Sequence, residues 1–211
     1  MVNHHPSDEL LMEFAAGQIP NALGVMVACH LQHCSYCRQR TRLFERIGGE
    51  ILQSASRESM DSSLLEQTLA RLDEPEPAQV APYYNKSIPK PLKRFVPADF
   101  DQLPWTGLSR TVREFKLACS DDDFTAKLYR IAAGKELPEH GHKGGEFTLV
   151  MQGQFSDRAG DYAEGDFIHT DNHTIHQPKA STEQDCICFV VMDGPIKMTG
   201  LFNRLLNPFL S

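Results

Sequence analysis

Proline placement sets the first limit on how this chain folds. Seven of its 13 prolines fall between Pro75 and Pro104. Proline lacks a backbone N–H and fixes φ. The run Pro75-Glu76-Pro77, Pro82, Pro89-Lys90-Pro91 and Pro97 therefore suits neither a helix interior nor a central strand. The hydrophobic period differs on its two sides. Upstream, Leu10, Leu11, Phe14 and Ala15 recur at helical spacing; downstream, residues 111–118 and 124–131 alternate with a period of two. The expectation is an α + β chain of two domains: a small helical bundle over 1–75, an extended proline-rich linker over 76–95, and a β domain over 96–211. Such a linker is stiffer than a Gly/Ser one.

In the first half, Ser7 is a predicted N-cap with Asp8 and Glu9 in the first turn, and Gly17 is the stop. Pro20 opens a second helix reaching about His30, a third runs from Cys34 or Ser35 toward Leu52, and Leu64, Leu65 and Leu69 mark a fourth. A bundle of this size rarely gains more than ~3–5 kcal/mol from its core alone. It carries the means of a staple in His30-x3-Cys34-x2-Cys37, with the His4-His5 pair upstream as source of a fourth ligand. Two imidazoles and two thiolates suit tetrahedral zinc and cancel its charge. Structural zinc contributes on the order of 10 kcal/mol to folding of small peptides.

The second half continues the period-two pattern at residues 147–151, 166–169 and 186–192, with glycine-bearing turns between, which argues for a sandwich or barrel. Within it stands Gly134-x5-His140-x-His142-x3-Glu146-x6-Gly153. His140 and His142, two apart on a strand, face the same way. Glu146 follows the Lys143-Gly144-Gly145 turn, and a third imidazole from a later strand completes the set, with His176, His173 and His169 as candidates. Three His and one Glu accept zinc, manganese, iron or nickel.

Charge narrows the partners. Residues 1–75 hold six basic and ten acidic side chains and the remainder 15 and 18, so neither half offers a basic footprint for direct nucleic-acid binding. An acidic helical half suits a basic protein partner. No apolar run is long enough to cross a membrane, and Met1-Val2-Asn3-His4-His5-Pro6 lacks the basic and apolar regions of a signal peptide, so the expected location is the cytoplasm. Reduced thiols are expected there, and the six cysteines read as ligands, redox groups or core before disulfides.

The spacing from Gly134 to Gly153 resembles the first signature of the cupin superfamily, and Ala163-Glu164-Gly165 stands where the second begins. That resemblance implies a jelly-roll β-sandwich, and the register of His176 behind Gly165 favours His176 as the third imidazole. The order of parts along nearly the whole chain resembles the ChrR family of zinc-binding anti-sigma factors. This resemblance implies zinc ligands at His5, His30, Cys34 and Cys37, and cupin ligands at His140, His142, Glu146 and His176 holding zinc, manganese, iron or nickel. It also implies a helical domain that grips an extracytoplasmic-function-type sigma factor, and a cupin half needed for release under singlet-oxygen or peroxide stress. Oligomeric state is left open. The alternative is a metal-dependent cupin enzyme, of dioxygenase or isomerase type, with an N-terminal zinc interaction module.

Three features outside the ligand sets carry expectations. Cys186-Ile187-Cys188 places two thiols on one face of an apolar strand, as core residues or as an oxidation-sensitive pair near the metal; Cys119 reads as core. The tail from Leu201 to Leu210 has amphipathic spacing suited to packing on the sandwich. In an anti-sigma domain some of Leu10, Leu11, Phe14, Leu23, Met26, Phe44, Ile47, Leu65 and Leu69 would be left exposed for the partner.

Overall fold

The computed structural model describes residues 2–73, 88–107, 109, 111–120, 123–194 and 196–198. Four α-helices come first: α1 (Asp8–Ala15), α2 (Asn21–His33), α3 (Ser35–Ser54) and α4 (Leu64–Ala70). Eleven described strands follow: β1 (Thr106–Gly107), β2 (Val112–Lys116), β3 (Thr125–Ile131), β4 (His140–His142), β5 (Glu146–Gln152), β6 (Gln154–Ser156), β7 (Asp161–Ala163), β8 (Phe167–Thr170), β9 (Lys179–Ala180), β10 (Cys186–Met192) and β11 (Ile196–Met198).

Local chemistry sets the helix ends. The Leu10 N–H donates to Ser7 Oγ at 3.2 Å, and Gly17 takes φ 67° after α1, a conformation that costs glycine least. Cys34, extended at φ −111° and ψ 109°, breaks α2 from α3. Its Sγ caps α3 by accepting from the Cys37 N–H at 3.3 Å. α2 extends three residues beyond the expected stop near His30.

The sequence of α2 is apolar nearly all round: Ala22, Leu23, Val25, Met26, Val27 and Cys29 are all buried. A helix without a polar face must be covered on every side. α1 and α3 cover part of it, β5 and β10 another part, and the turn carrying Leu92 a third. Of the expected linker, residues 76–87 lie outside the described ones. Residues 88–95 do more than span: Ile88 and Leu92 are buried, and Lys90–Leu92 form a 3-10 turn against α2.

The β half is antiparallel throughout its described pairs. A six-stranded sheet runs β1-β2-β3-β10-β5-β8, a three-stranded sheet runs β7-β6-β9, and β11 pairs with β4. β10 is apolar at all seven positions because both its faces are covered. Ile187, Phe189 and Val191 join the core shared with the helices; Cys186, Cys188, Val190 and Met192 join a second core with Phe155 and Tyr162. Leu128 and Tyr129 on β3 divide the same way, as do Leu149 and Val150 on β5.

Apolar residues of the helices sort into two sets. Leu10, Leu11, Leu23 and Met26, expected as possible partner contacts, are core, and Phe14 and Phe44 pack against it. Ile47, Leu65 and Leu69 are exposed, joined by Leu43 and Ile51 at helical spacing on α3. α4 has no buried residue. The tail from Leu201 to Leu210 lies outside the described residues.

Candidate metal centres

The first cluster forms where α2 turns into α3. His30 lies in the last turn of α2, Cys34 is the corner and Cys37 opens α3. The segment ahead of α1 brings His5 across. His5 Nδ1 lies 3.4 Å from Cys34 Sγ and 3.5 Å from Cys37 Sγ. One ligand atom from each of His5, His30, Cys34 and Cys37 falls within 4.8 Å of all the others. Tetrahedral zinc, with bonds of about 2.3 Å to sulfur and 2.0–2.1 Å to nitrogen, separates N from S by roughly 3.5 Å. His30 settles its own tautomer. A carbonyl only accepts, so Nδ1–H donates to Gly165 O at 2.8 Å and Nε2 keeps its lone pair. That Nε2 is buried without a hydrogen-bond partner, an arrangement expected of a ligand atom and otherwise costly. Burial lowers the His30 pKa to about 4, and burial beside Cys34 raises the Cys37 thiol, so a cation is what draws the thiolate form.

His4 points away from this cluster, as alternation along an extended segment requires. Its ring lies 4.8 Å from that of Tyr162, and its Nδ1 is 3.4 Å from Asp166 Oδ2. Cys29 is buried in core with its thiol raised to about 12 by desolvation, and His33 lies outside the cluster, 3.9 Å from Glu164.

The second cluster joins His140 and His142 on β4 with His176 on the approach to β9, one ligand atom of each within 4.8 Å of the others, and Glu146 at the start of β5 stands beside this group rather than within it. His140 and His176 bridge by paired main-chain bonds of 3.0 Å, N–H to O in both directions. Their Nε2 atoms are 3.1 Å apart, and His142 Nε2 is 3.2 Å from that of His176. Glu146 Oε2 is 3.4 Å from His142 Nε2, and its Oε1 is 4.0 Å from His176 Nε2. His140 Nδ1–H donates to Pro138 O at 2.8 Å, which turns its Nε2 lone pair inward. With the lone pairs turned inward, a cation between them removes their mutual repulsion. Nitrogen ligands spaced at right angles around a bond of 2.0–2.1 Å stand about 2.9 Å apart and tetrahedral ones about 3.3 Å, so the observed spacing accommodates either. Burial lowers His142 to about 3 and His176 to about 4, while it raises Glu146 to about 7.

His169 and His173 stay out of this cluster. His169 stacks on Phe147 at 4.4 Å, and His173 is exposed in the loop held by Asp171. Cys186 and Cys188 have Sγ atoms 3.7 Å apart, both free and in the second core. Sequence reasoning missed two buried carboxylates beside the clusters. Asp157 Oδ2 lies 3.7 Å from His176 Nδ1, the carboxylate–imidazole pairing that orients metal-binding histidines. Asp166 meets the segment carrying His5. The Asp157-x2-Gly160 and Gly165-Asp166 turns were the available signals.

Comparison with known proteins agrees with this division. Residues 93–196 match the family model for the ChrR cupin-like domain. The anti-sigma-E factor ChrR of Cereibacter sphaeroides is 32% identical over 212 residues, covering 99% of this chain and 98% of that protein. The chain belongs to the ChrR family. A solved structure from the same family, the crystal structure of Rhodobacter sphaeroides SigE in complex with the anti-sigma ChrR, aligns at a TM-score of 0.82 and 32% identity. The alignment covers 92% of this chain and 100% of that one. The ChrR-family fold is therefore a helical part joined to a cupin, and both candidate metal clusters here fall on that frame.

Proposed function

We propose that this chain is an anti-sigma factor. Its helical half binds an extracytoplasmic-function-type sigma factor and occludes the surfaces that sigma factor needs for transcription. Similarity along nearly the full length to an anti-sigma factor carries this reading. The exposed row Leu43, Ile47 and Ile51 on α3, together with exposed Leu65 and Leu69 on α4, a helix with nothing buried, supplies apolar side chains for docking. Zinc bound by His5, His30, Cys34 and Cys37 supplies the cross-link that ties the segment before α1 to the α2–α3 corner. The corner itself orients Cys34 and Cys37, and the Gly165 carbonyl orients His30.

His140, His142, Glu146 and His176 hold a second divalent ion, zinc or else manganese, iron or nickel. All four residues are buried, which favours a sensing or structural role over turnover of a substrate. The cupin half responds to singlet-oxygen or peroxide-type stress by weakening the grip on the sigma factor, which requires lower affinity of the altered form for its partner. No helix among the described residues is long and apolar enough to cross a membrane, in keeping with action in the cytoplasm.

The test is co-purification with an extracytoplasmic-function-type sigma factor encoded in the same genome. The unmodified chain should retain it and silence transcription from its promoter. Ile47→Asp with Leu65→Asp should abolish retention while both metals and the far-UV circular dichroism stay unchanged. Failure of the unmodified chain to retain any such sigma factor would sink the proposal.

A further inference from the structure

Two of the four ligands in the first cluster are held by the other half of the chain. His5 belongs to an extended segment with neither helix nor strand pairing of its own. Three main-chain bonds fix that segment. Asn3 and His4 donate their N–H groups to Asp166 Oδ1 at 2.7 and 3.0 Å, and Phe167 N–H donates to His4 O at 3.1 Å. The other Asp166 oxygen accepts from Ala163 N–H at 2.9 Å. The Asp166 side chain is 1% exposed. A buried carboxylate is costly unless hydrogen-bonded, and here both oxygens are engaged by main-chain donors on two sides of the junction.

The residue before it holds His30. Gly165 O accepts from His30 Nδ1–H at 2.8 Å. Gly165 takes φ +91°, and a Cβ there would stand 2.8 Å from Val2 Cγ2 and 3.0 Å from His33 Cβ. Only a glycine lets this turn approach both the segment before α1 and the end of α2. The thiolates need no such help, because Cys34 and Cys37 are placed by the corner between α2 and α3.

We propose that the Gly165-Asp166-Phe167 turn of the cupin half positions the imidazole ligands of the N-terminal metal site, with Asp166 as its positioning residue for His5. The inference rests on the proposed ligation by His5, His30, Cys34 and Cys37. It makes that site a joint product of both halves. The thiolate pair is built by the helices, and the imidazole pair is aligned by the cupin. Outer-shell partners of metal-binding histidines typically account for about 10–100-fold in metal affinity.

Cobalt(II) titration of the full-length protein separates the two ligand pairs. The cupin donors contain no sulfur, so the near-ultraviolet thiolate-to-cobalt band reports the first site alone. Visible bands of that site follow by subtracting the Cys34→Ala/Cys37→Ala protein. In Asp166→Ala the thiolate band should persist at full occupancy while the tetrahedral visible bands weaken and affinity falls by about 10–100-fold. Asp166→Asn retains one carbonyl acceptor for the Asn3 and His4 N–H groups and should recover part of the loss. Gly165→Ala, which wedges the turn outward, should reproduce the selective loss.

An Asp166→Ala protein with the unmodified spectrum and affinity would overturn the proposal. So would loss of the thiolate band, the visible bands and the cupin cobalt in parallel, which marks general unfolding. Absence of any thiolate band in the unmodified protein would instead remove the ligand assignment on which the inference stands.

Discussion

Cys34 does two jobs that a substitution can separate. As a cap its Sγ accepts from Cys37 N–H, and as a candidate ligand it lies 3.4 Å from His5 Nδ1. Serine caps a helix well but is a poor zinc donor. Cys34→Ser should therefore lose the N-terminal metal yet keep α3, whereas Cys34→Ala should lose both the metal and about 0.5–2 kcal/mol of cap energy. Metal content by elemental analysis and urea unfolding of the two variants give the check. Asp166 makes a pH prediction. Burial opposes its ionised form, but the N–H bonds from Ala163, Asn3 and His4 prevail and hold its pKa below the ordinary 3.8. A carboxylate depressed in the folded state contributes stability that is present above its unfolded pKa and lost as pH falls through the folded one. In metal-free protein the stability advantage over Asp166→Asn should be complete at pH 6 and shrink below about pH 4. Chemical denaturation at the two pH values measures it.

α2 and β10 carry the same lesson among the elements: each is apolar beyond what one face needs. Met26 is fully buried on α2. Met26→Ala should cost about 2–5 kcal/mol, the range for opening a cavity in a well-packed core. The outer, solvent-side residues of α3 should tolerate change: Ile51→Asp, at 65% exposure, should shift stability by no more than about 0.5 kcal/mol. Periodicity made α1, α3, β2 and β3 legible, because each has a distinct polar side. It also located the whole β10 run, residues 186–192. The short strands β1, β6, β7 and β9, two or three residues each, were not legible, since so few positions hold no period and only pairing defines them. The 3-10 turn around Leu92 was hidden for another reason: its prolines forbid regular structure but do not forbid burial.

The molecule has one core running from the helices through the outer face of the six-stranded sheet, and a second inside the cupin. A polar path also runs from the second candidate metal cluster toward the segment that carries His5. His176 faces Asp157; burial and the nearby Asp157 carboxylate push the Tyr162 hydroxyl pKa up; the Tyr162 ring packs on His4, and His4 meets Asp166. The cupin and the helical half also share apolar packing across α2, β5 and β10. Phe189, fully buried on β10, belongs to the common core. Phe189→Ala should remove about 3–5 kcal/mol and lower the melting midpoint by on the order of 10 °C. The thiolate–cobalt band and the cupin's circular dichroism should vanish in one transition. Two separated transitions would show that the halves unfold independently.

The linear chain determined the residue types and their spacing. His30-x3-Cys34-x2-Cys37 and His140-x-His142-x3-Glu146 are local patterns, and their chemistry survives being read one residue after another. The ChrR-family order of a helical part, a proline-rich join and a cupin is likewise visible along the chain. What tertiary structure decided is long-range: which of His4 and His5 turns to the thiolates, which of three later histidines joins His140, and which helical leucines face water. Asp166 meets Asn3 and His4 across 163 and 162 positions. No period or spacing encodes such a meeting. It follows from the packing of α2 on the sheet, which brings the turn before β8 against the segment before α1.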